Sequence, residues 1–381
     1  MRKPINMKNP VMNPVTRRAP TIPPHAFLLL TLLVLAAAAA LSMPALAVDT
    51  DALEDALPDE ARDVLGDVTV TDAAGDGVFS RLWERAKDEA AAGLSDAARS
   101  ACVALAVTLL ASAAGAVSED GKTPGYALLG ASLAITGASM GDIRSFLSQT
   151  RAALLSLSDF SRALLPCVAA ASAAAGSGAA GAARYTVSAV FLDLLMSVGT
   201  DVILPVICAC AALAAAHAAL PDGALGGVVK LISWACTTLL TTLTTVFTLC
   251  LTLSGVIAGS SGKLAGSLAK TAISASLPVV GRILSDAAET YLAGAKLLRG
   301  AVGIFGLAAV LAVCLGPMVK LGLHYLLFRA AACVAEPFAD ARLSGLMGHI
   351  ASCYGMALGL LGSAGAMLFV SAVLGAGVLS G

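Results

Sequence analysis

Apolar runs long enough to cross a lipid bilayer dominate this sequence and constrain its fold more than any other feature. A helix needs about 20 apolar residues to cross a hydrocarbon core of about 30 Å. Hydrophobic residues make up 58% of the chain and charged residues only 13%, whereas about a quarter of the residues in a soluble domain are charged. The chain has too few charges to cover a globular surface, so we expect lipid to surround much of it.

The apolar runs predict an all-α, polytopic membrane protein with about seven spanning helices, within a range of about six to eight. The alternating pattern of a membrane β-barrel does not occur in the sequence, and helices are then the structure that satisfies backbone hydrogen bonds in lipid. The predicted spans are Ala98–Val117, Gly125–Gly141, Ala163–Ala183, Val202–Leu220, Leu231–Gly259, Ala301–Val319 and Ser352–Leu379.

Three regions follow one another along the chain. Residues 1–47 have a basic start, an apolar centre and the ending "PALA", which is typical of a secretory signal peptide cut after Ala47; the alternative is an uncleaved first anchor. Residues 48–97 form an acidic extracytoplasmic segment, and residues 98–381 form the multi-span membrane domain. The acidic segment is expected to end in an amphipathic helix, with one face formed by Phe79, Leu82, Trp83 and Ala86.

The distribution of basic residues predicts the orientation of the chain. Lysine and arginine concentrate in the cytoplasmic loops of membrane proteins. The segment Gly262–Gly300 contains more basic than acidic residues, so we expect it on the cytoplasmic side. Counting five predicted spans from an extracytoplasmic amino terminus gives the same side.

Within that segment, residues 282–299 predict an amphipathic helix about eighteen residues long. Its polar side contains Arg282, Asp286 and Glu289. Arg282 and Asp286 form an i, i+4 pair that contributes only about 0.2–0.5 kcal/mol, so the apolar side must set the position of the helix. We expect it along the cytoplasmic interface or as a re-entrant element. Its polar face either meets a cytoplasmic partner or the mouth of a conduit, or belongs to an ordinary connector helix.

Small and polar residues within the apolar runs leave further alternatives open. Asp193 and Asp201 lie about 80° apart around a helix, so they either line one polar cavity or sit near an interface beside a helix break. The stretch "GSGAAGAA", residues 176–183, is either a close helix crossing or a flexible break. The threonine-rich span Thr237–Gly255 either lines a wet path or packs as an ordinary helix.

The sequence predicts no catalytic, cofactor or metal site, and thus no enzyme. It contains no nucleophile elbow, phosphate-binding loop or dinucleotide fingerprint. The nine cysteines lack metal or redox spacing and are interpreted as small hydrophobic residues. A net charge of −1 gives no reason to expect a nucleic acid partner. Glu336 is a candidate polar contact, although a helix that starts at Pro337 explains a nearby acid structurally.

Residues 276–343 contain an ordered set of short motifs. They are L-P-V-V-G from Leu277, L-S-D-A-A-E from Leu284, K-L-G-x-H-Y-L-L from Lys320, and A-E-P followed by D-x-R-L from Ala335. With these motifs, and with its order of signal peptide, soluble segment and multi-span body, the chain resembles the stage III sporulation protein AE family. The resemblance covers most of the chain and is sharpest in its last third.

The resemblance implies a multi-pass protein of the mother-cell membrane around the engulfed forespore of an endospore-forming bacterium. It implies a place among mother-cell stage III sporulation proteins, including an ATPase and ring-forming subunits. Together with a forespore partner these proteins form a channel-like complex that is implied to sustain late forespore gene expression. The alternatives are a stand-alone permease for a small solute and a passive membrane scaffold for other sporulation proteins.

Overall fold

All regular elements in the described residues are helices, which confirms the predicted fold class. The computed structural model describes residues 50–66, 76–117, 123–219, 226–276 and 280–376. The predicted signal peptide lies outside these residues. The helices are α1 (Thr50–Asp55), α2 (Asp59–Leu65), α3 (Asp76–Val117), α4 (Thr123–Ser172), α5 (Gly178–Val198), α6 (Leu204–Ala219), α7 (Gly226–Ser276), α8 (Val280–Ala335) and α9 (Ala341–Ala376).

Six stretches of the described residues are long and apolar enough to cross a membrane, by length and composition. Six lies within the predicted range. The predicted spans Gly125–Gly141 and Ala163–Ala183 are not separate spans, because the first lies within α4 and the second is divided by a turn between α4 and α5. The six stretches are Gly77–Gly115, Tyr126–Ala175, Gly181–Ala219, Gly226–Leu251, Gly300–Ala335 and Ala341–Val373.

The chain reverses direction between α4 and α5 beside a π-helical turn at Ala173–Ser177. A Cβ atom at Gly181 would lie 2.8 Å from the Cβ of Ser172 and 3.1 Å from the carbonyl oxygen of Ala169. Along one straight helix these residues would be about 13–18 Å apart, so α4 and α5 must run antiparallel here. Gly181 therefore makes a close helix crossing, as one of the two sequence interpretations expected. Hydropathy did not distinguish this turn from a membrane-spanning helix, because alanine and glycine are compatible with both.

A single helix, α3, joins the predicted amphipathic helix to the first predicted span without a break at residue 97. Leu82 is buried, whereas Phe79 and Trp83 are 73% and 59% exposed. The residues predicted to share one face are thus not buried together. Val78 is buried with Leu82, so the packed face of α3 follows this i, i+4 pair and leaves the two aromatic rings outside it.

Two short helices precede α3 and pack on the long ones. Helix α1 contacts α4, and α2 contacts α8. Leu53, Ala61 and Leu65 are fully buried in these contacts. Pro58 stands before α2, where its missing N–H is tolerated, and Gly66 ends the helix with a φ of 61°, a conformation that favours glycine. The start of the acidic segment is therefore part of the helical bundle.

A second π-helical turn, Gly199–Ile203, lies between α5 and α6. The N–H of Leu204 donates to the carbonyl of Gly199 five residues earlier. Pro205 explains this turn, because it has no N–H and its ring would clash with the carbonyl of Asp201 in a regular helix. A Cβ at Gly199 would lie 2.9 Å from Cδ1 of Leu360, so α9 passes close to the same turn.

Helices α8 and α9 form the most extensive helix pair of the bundle. Helix α8 continues to Ala335, and α9 begins at Ala341. The carboxylate of Asp340 accepts a hydrogen bond of 2.9 Å from the N–H of Arg342, which is the geometry of a helix N-cap. Pro337 therefore lies in the turn between the helices rather than at a helix start, because Asp340 provides the cap.

The six-span arrangement changes the expected topology. Four candidate spans precede residue 252, whereas the sequence predicted five. If each crosses once, the segment Gly262–Gly300 lies on the same side as the acidic segment, residues 48–97. The count of spans from an extracytoplasmic amino terminus and the distribution of basic residues then place this segment on opposite sides of the membrane. An extracytoplasmic acidic segment and a cytoplasmic Gly262–Gly300 then conflict with each other, and both stay predictions.

Candidate functional site

A polar cavity of about 520 Å³ lies where α3, α4 and α8 meet. Helices α3 and α4 run antiparallel beside it, and the hydroxyl of Ser100 donates a 2.7 Å hydrogen bond to Oδ2 of Asp142 across them. Helix α8 contributes Lys320 and His324, which lie one turn apart on one face. The lining residues are Gly93, Asp96, Arg99, Ser100, Val103, Ala138, Ser139, Asp142, Ser145, Phe146, Gln149, Lys320 and His324.

An ion-pair network lies beside the cavity and ties α3 to α8. The Nζ of Lys320 lies 3.0 Å from Oε2 of Glu89, and the Nε of Arg85 lies 3.3 Å from Oε1 of the same carboxylate. The side chain of Glu89 is 16% exposed, and that of Lys320 is 34% exposed. A partly buried carboxylate that contacts two cations is screened less than a surface pair, and its contact with Lys320 links α3 to α8.

Three charged side chains face the cavity without full partners. Asp96 and Arg99 are exposed, and neither makes an ion pair or hydrogen bond with other described residues. Asp142 uses only one carboxylate oxygen, in its contact with Ser100. The cavity therefore presents two carboxylates and one guanidinium whose hydrogen-bonding capacity is largely unused within the described chain.

The inner wall of the cavity is an aromatic cluster around His324, which is only 2% exposed. Its Nδ1 lies 2.9 Å from the carbonyl oxygen of Lys320. A carbonyl only accepts, so Nδ1 donates, and Nε2 makes no hydrogen bond to other described residues. The imidazole lies 4.4 Å from the ring of Phe146 and 5.3 Å from that of Tyr354, between centroids. The buried hydroxyl of Tyr354 has no hydrogen-bond partner among the described residues.

Asp193 and Asp201 have separate surroundings in the structure. Asp193 lines a second cavity of about 380 Å³ together with Arg162 and Tyr185. Asp201 does not line that cavity, and its carboxylate accepts a 3.1 Å hydrogen bond from the hydroxyl of Thr200 in the π-helical turn. Both side chains are exposed, and their functional role stays a prediction.

The threonine hydroxyls of α7 bond to their own helix. Thr237, Thr244 and Thr245 each donate to the carbonyl four residues earlier, at 2.7–2.9 Å. This is the usual way in which threonine satisfies its hydroxyl within a membrane helix. These donors are used within α7, and both interpretations of the span, a wet path and an ordinary packed helix, stay predictions.

The remaining predicted contacts lie near the ends of α8. Arg282, Asp286 and Glu289 belong to its first turns, and their backbone is helical as predicted; the positions of their side chains lie outside the described part of the structure. The amphipathic helix continues directly into the span that starts at Gly300. Glu336 is exposed in the turn that follows α8.

Sequence reasoning did not select the residues of the polar cavity. One signal was present: Lys320 and His324 interrupt an apolar run four residues apart, within the motif K-L-G-x-H-Y-L-L, and ionisable residues within a span usually face the interior of a bundle. Their partners on α3 and α4 are more than 170 residues away in sequence, so only tertiary packing shows the site.

The described residues contain no group of three or more potential metal ligands.

Comparison with known proteins identifies the family. The family model of stage III sporulation protein AE matches residues 71–378. That range contains all six candidate spans and every residue that lines the polar cavity. Neither a curated protein nor a solved structure matches the chain. Because the family model covers most of the sequence, the chain belongs to the stage III sporulation protein AE family.

Proposed function

We propose that this sporulation protein is the integral membrane subunit of a channel-like complex that joins the mother cell to the engulfed forespore. It lies in the mother-cell membrane around the forespore and contacts other stage III sporulation proteins, including an ATPase and ring-forming subunits, and a forespore partner. It has no enzymatic activity of its own. Its contribution sustains late gene expression in the forespore. Family membership supports a role in sporulation, and six candidate spans support a place in the membrane.

The polar cavity is the observation that favours a conduit subunit over a passive scaffold. Lys320 and His324 belong to the candidate span Gly300–Ala335, and ionisable residues on membrane helices usually face the bundle interior or a water-filled cavity and mark functional sites. A scaffold needs only an apolar exterior and docking surfaces. The cavity also suits a small-solute permease, the second candidate, which would act without the other subunits.

A genetic experiment tests the proposal. In a strain that lacks the gene, we expect sporulation to stop after engulfment and a late forespore reporter to remain silent, and the intact gene should restore both. Replacing Asp193 and Asp201 together by asparagine should leave the membrane level of the protein unchanged, because size and polarity are retained, and should lower spore yield. The control is Asp59→Asn, which changes an exposed carboxylate on α2 that lines neither cavity.

Three outcomes would overturn the proposal or part of it. A normal late forespore reporter in the deletion strain contradicts a role in forespore gene expression. Wild-type spore yield from the double asparagine variant shows that the charges of Asp193 and Asp201 have no functional role. A permease that acts alone would restore sporulation even when the other stage III sporulation proteins are absent.

A further inference from the structure

The polar cavity between α3, α4 and α8 has the features of a ligand site rather than of a packing defect. Its volume of about 520 Å³ lies within the usual range for small-molecule sites, about 300–1,000 Å³. Ser139 and His324 line it and are each only 2% exposed. The hydroxyl of Ser139 and Nε2 of His324 make no hydrogen bonds to other described residues. Both atoms reach the cavity with hydrogen-bonding capacity that a ligand or water can use.

The charges around the cavity indicate what kind of ligand fits. Asp96 and Asp142 provide two carboxylates, and Arg99 and Lys320 provide two cations. Beside them, Glu89 and Arg85 add one charge of each sign. The formal charges of these six side chains sum to zero, so the cavity has no net preference for an anion or a cation. A solute that is neutral overall but has separated charges can use both sets.

We propose that this cavity binds a small zwitterionic solute that bears an ammonium and a carboxylate group, such as a free amino acid. The ammonium group lies against Asp142, which has one carboxylate oxygen available, and against Asp96. The carboxylate group pairs with Arg99, whose planar guanidinium suits two parallel hydrogen bonds. Lys320 is held by Glu89 at 3.0 Å and therefore positions the site rather than taking the ligand.

The aromatic wall limits the size and polarity of the ligand's remaining part. Phe146 and His324 lie 4.4 Å apart between ring centroids and close the cavity on its inner side. The hydroxyl of Ser139 and Nε2 of His324 leave hydrogen-bonding capacity at this wall. A short polar side chain, as in serine, therefore fits better than a long apolar one.

Equilibrium binding to the full-length protein in lipid nanodiscs tests this inference without any partner subunit. The probes are L-serine, propionate and ethanolamine, which have similar sizes and carry both charges, only the carboxylate or only the ammonium group. We expect saturable binding of L-serine and affinities at least about tenfold lower for the other two. Asp142→Asn should weaken L-serine binding by about tenfold or more, because the amide oxygen of the variant still accepts from Ser100 but the negative charge is lost.

Arg99→Gln is the second variant, since Arg99 is exposed and its loss does not disturb packing. It should weaken L-serine binding to a similar degree, whereas the matched controls Asp159→Asn and Arg162→Gln, an exposed pair elsewhere on α4, should not. The inference is overturned if L-serine does not saturate below about 10 mM, if propionate or ethanolamine binds equally well, or if both cavity variants bind like the unaltered protein. None of these outcomes bears on assembly with other sporulation proteins, which the genetic experiment tests separately.

Discussion

Gly181 and Gly199 lie at close helix contacts, but they face different neighbours. At Gly181 a Cβ would meet a backbone carbonyl and the Cβ of Ser172, neither of which can move independently of its helix. At Gly199 it would meet the end of the Leu360 side chain, which can change rotamer. The two positions should therefore differ in their tolerance of alanine.

We expect Gly181→Ala to destabilise the protein by about 1–3 kcal/mol and Gly199→Ala to cost less, since Leu360 can adjust. Gly137→Ala is the control, because nothing lies within 4 Å of a Cβ there and alanine has the higher helix propensity. The measurement is thermal unfolding in detergent micelles. A melting temperature for Gly181→Ala equal to that of the control would contradict the helix crossing between α4 and α5.

The carboxylate of Glu89 should contribute more to stability than an exposed acid. Glu89→Gln leaves the Lys320 charge without its partner at 3.0 Å, and we expect a cost of about 1–3 kcal/mol. Adding Lys320→Met should recover part of this loss, because the unpaired charge is then removed. Asp159→Asn breaks a pair that is 75% exposed on both sides and should change stability by less than about 0.5 kcal/mol. Unfolding of the unaltered protein, these three variants and Lys320→Met alone checks this; additive effects of the Glu89 and Lys320 changes would show that the pair is not coupled.

At the scale of elements, the sequence predicted the helices better than their boundaries. Apolar runs identified α6, α7 and α9, because each of these helices contains one uninterrupted apolar run. They did not identify α4 as one helix, because Asp142 and Arg151 divide an apolar sequence without interrupting the backbone. They did not place the reversal after Ser172 either, since nothing in an alanine- and glycine-rich stretch differs in hydropathy between a turn and a span.

The arrangement of spans makes a definite prediction about sidedness. Four candidate spans lie between α2 and residue 252, so cysteines introduced at Glu60 on α2 and at Ser285 on α8 should react with a membrane-impermeant thiol reagent from the same side. In this background the native cysteines are removed. Reaction of the two positions from opposite sides would contradict a bundle in which four spans precede residue 252.

The same experiment tests the predicted amphipathic helix. Cysteine at Glu289 should react like cysteine at Ser285, because both lie on the predicted polar side. Cysteine at Leu284, on the apolar side, should be protected. Equal reaction at all three positions would contradict a helix that rests its apolar side on lipid or protein. The side from which they react also decides between the distribution of basic residues and an extracytoplasmic acidic segment.

At the scale of the whole molecule, composition was sufficient to predict a membrane protein, and the motifs were sufficient to predict the family. The sequence alone could not predict the polar cavity, because Asp96, Asp142 and Lys320 come from three helices that only the folded bundle brings together. The charges of Asp96 and Asp142 also look like ordinary surface charges in the sequence. A site assembled from distant helices requires the packing of α3, α4 and α8 to be known.

Co-purification from sporulating cells tests the central claim most directly, that this chain is a membrane subunit of a complex between mother cell and forespore. The intact protein is tagged, extracted in mild detergent after engulfment, and compared with an unrelated multi-pass membrane protein that carries the same tag. We predict that other stage III sporulation proteins, including the ATPase and ring-forming subunits, and a forespore membrane protein are recovered with this chain and not with the control. Recovery of the chain alone, from cells in which it still supports sporulation, would contradict the account.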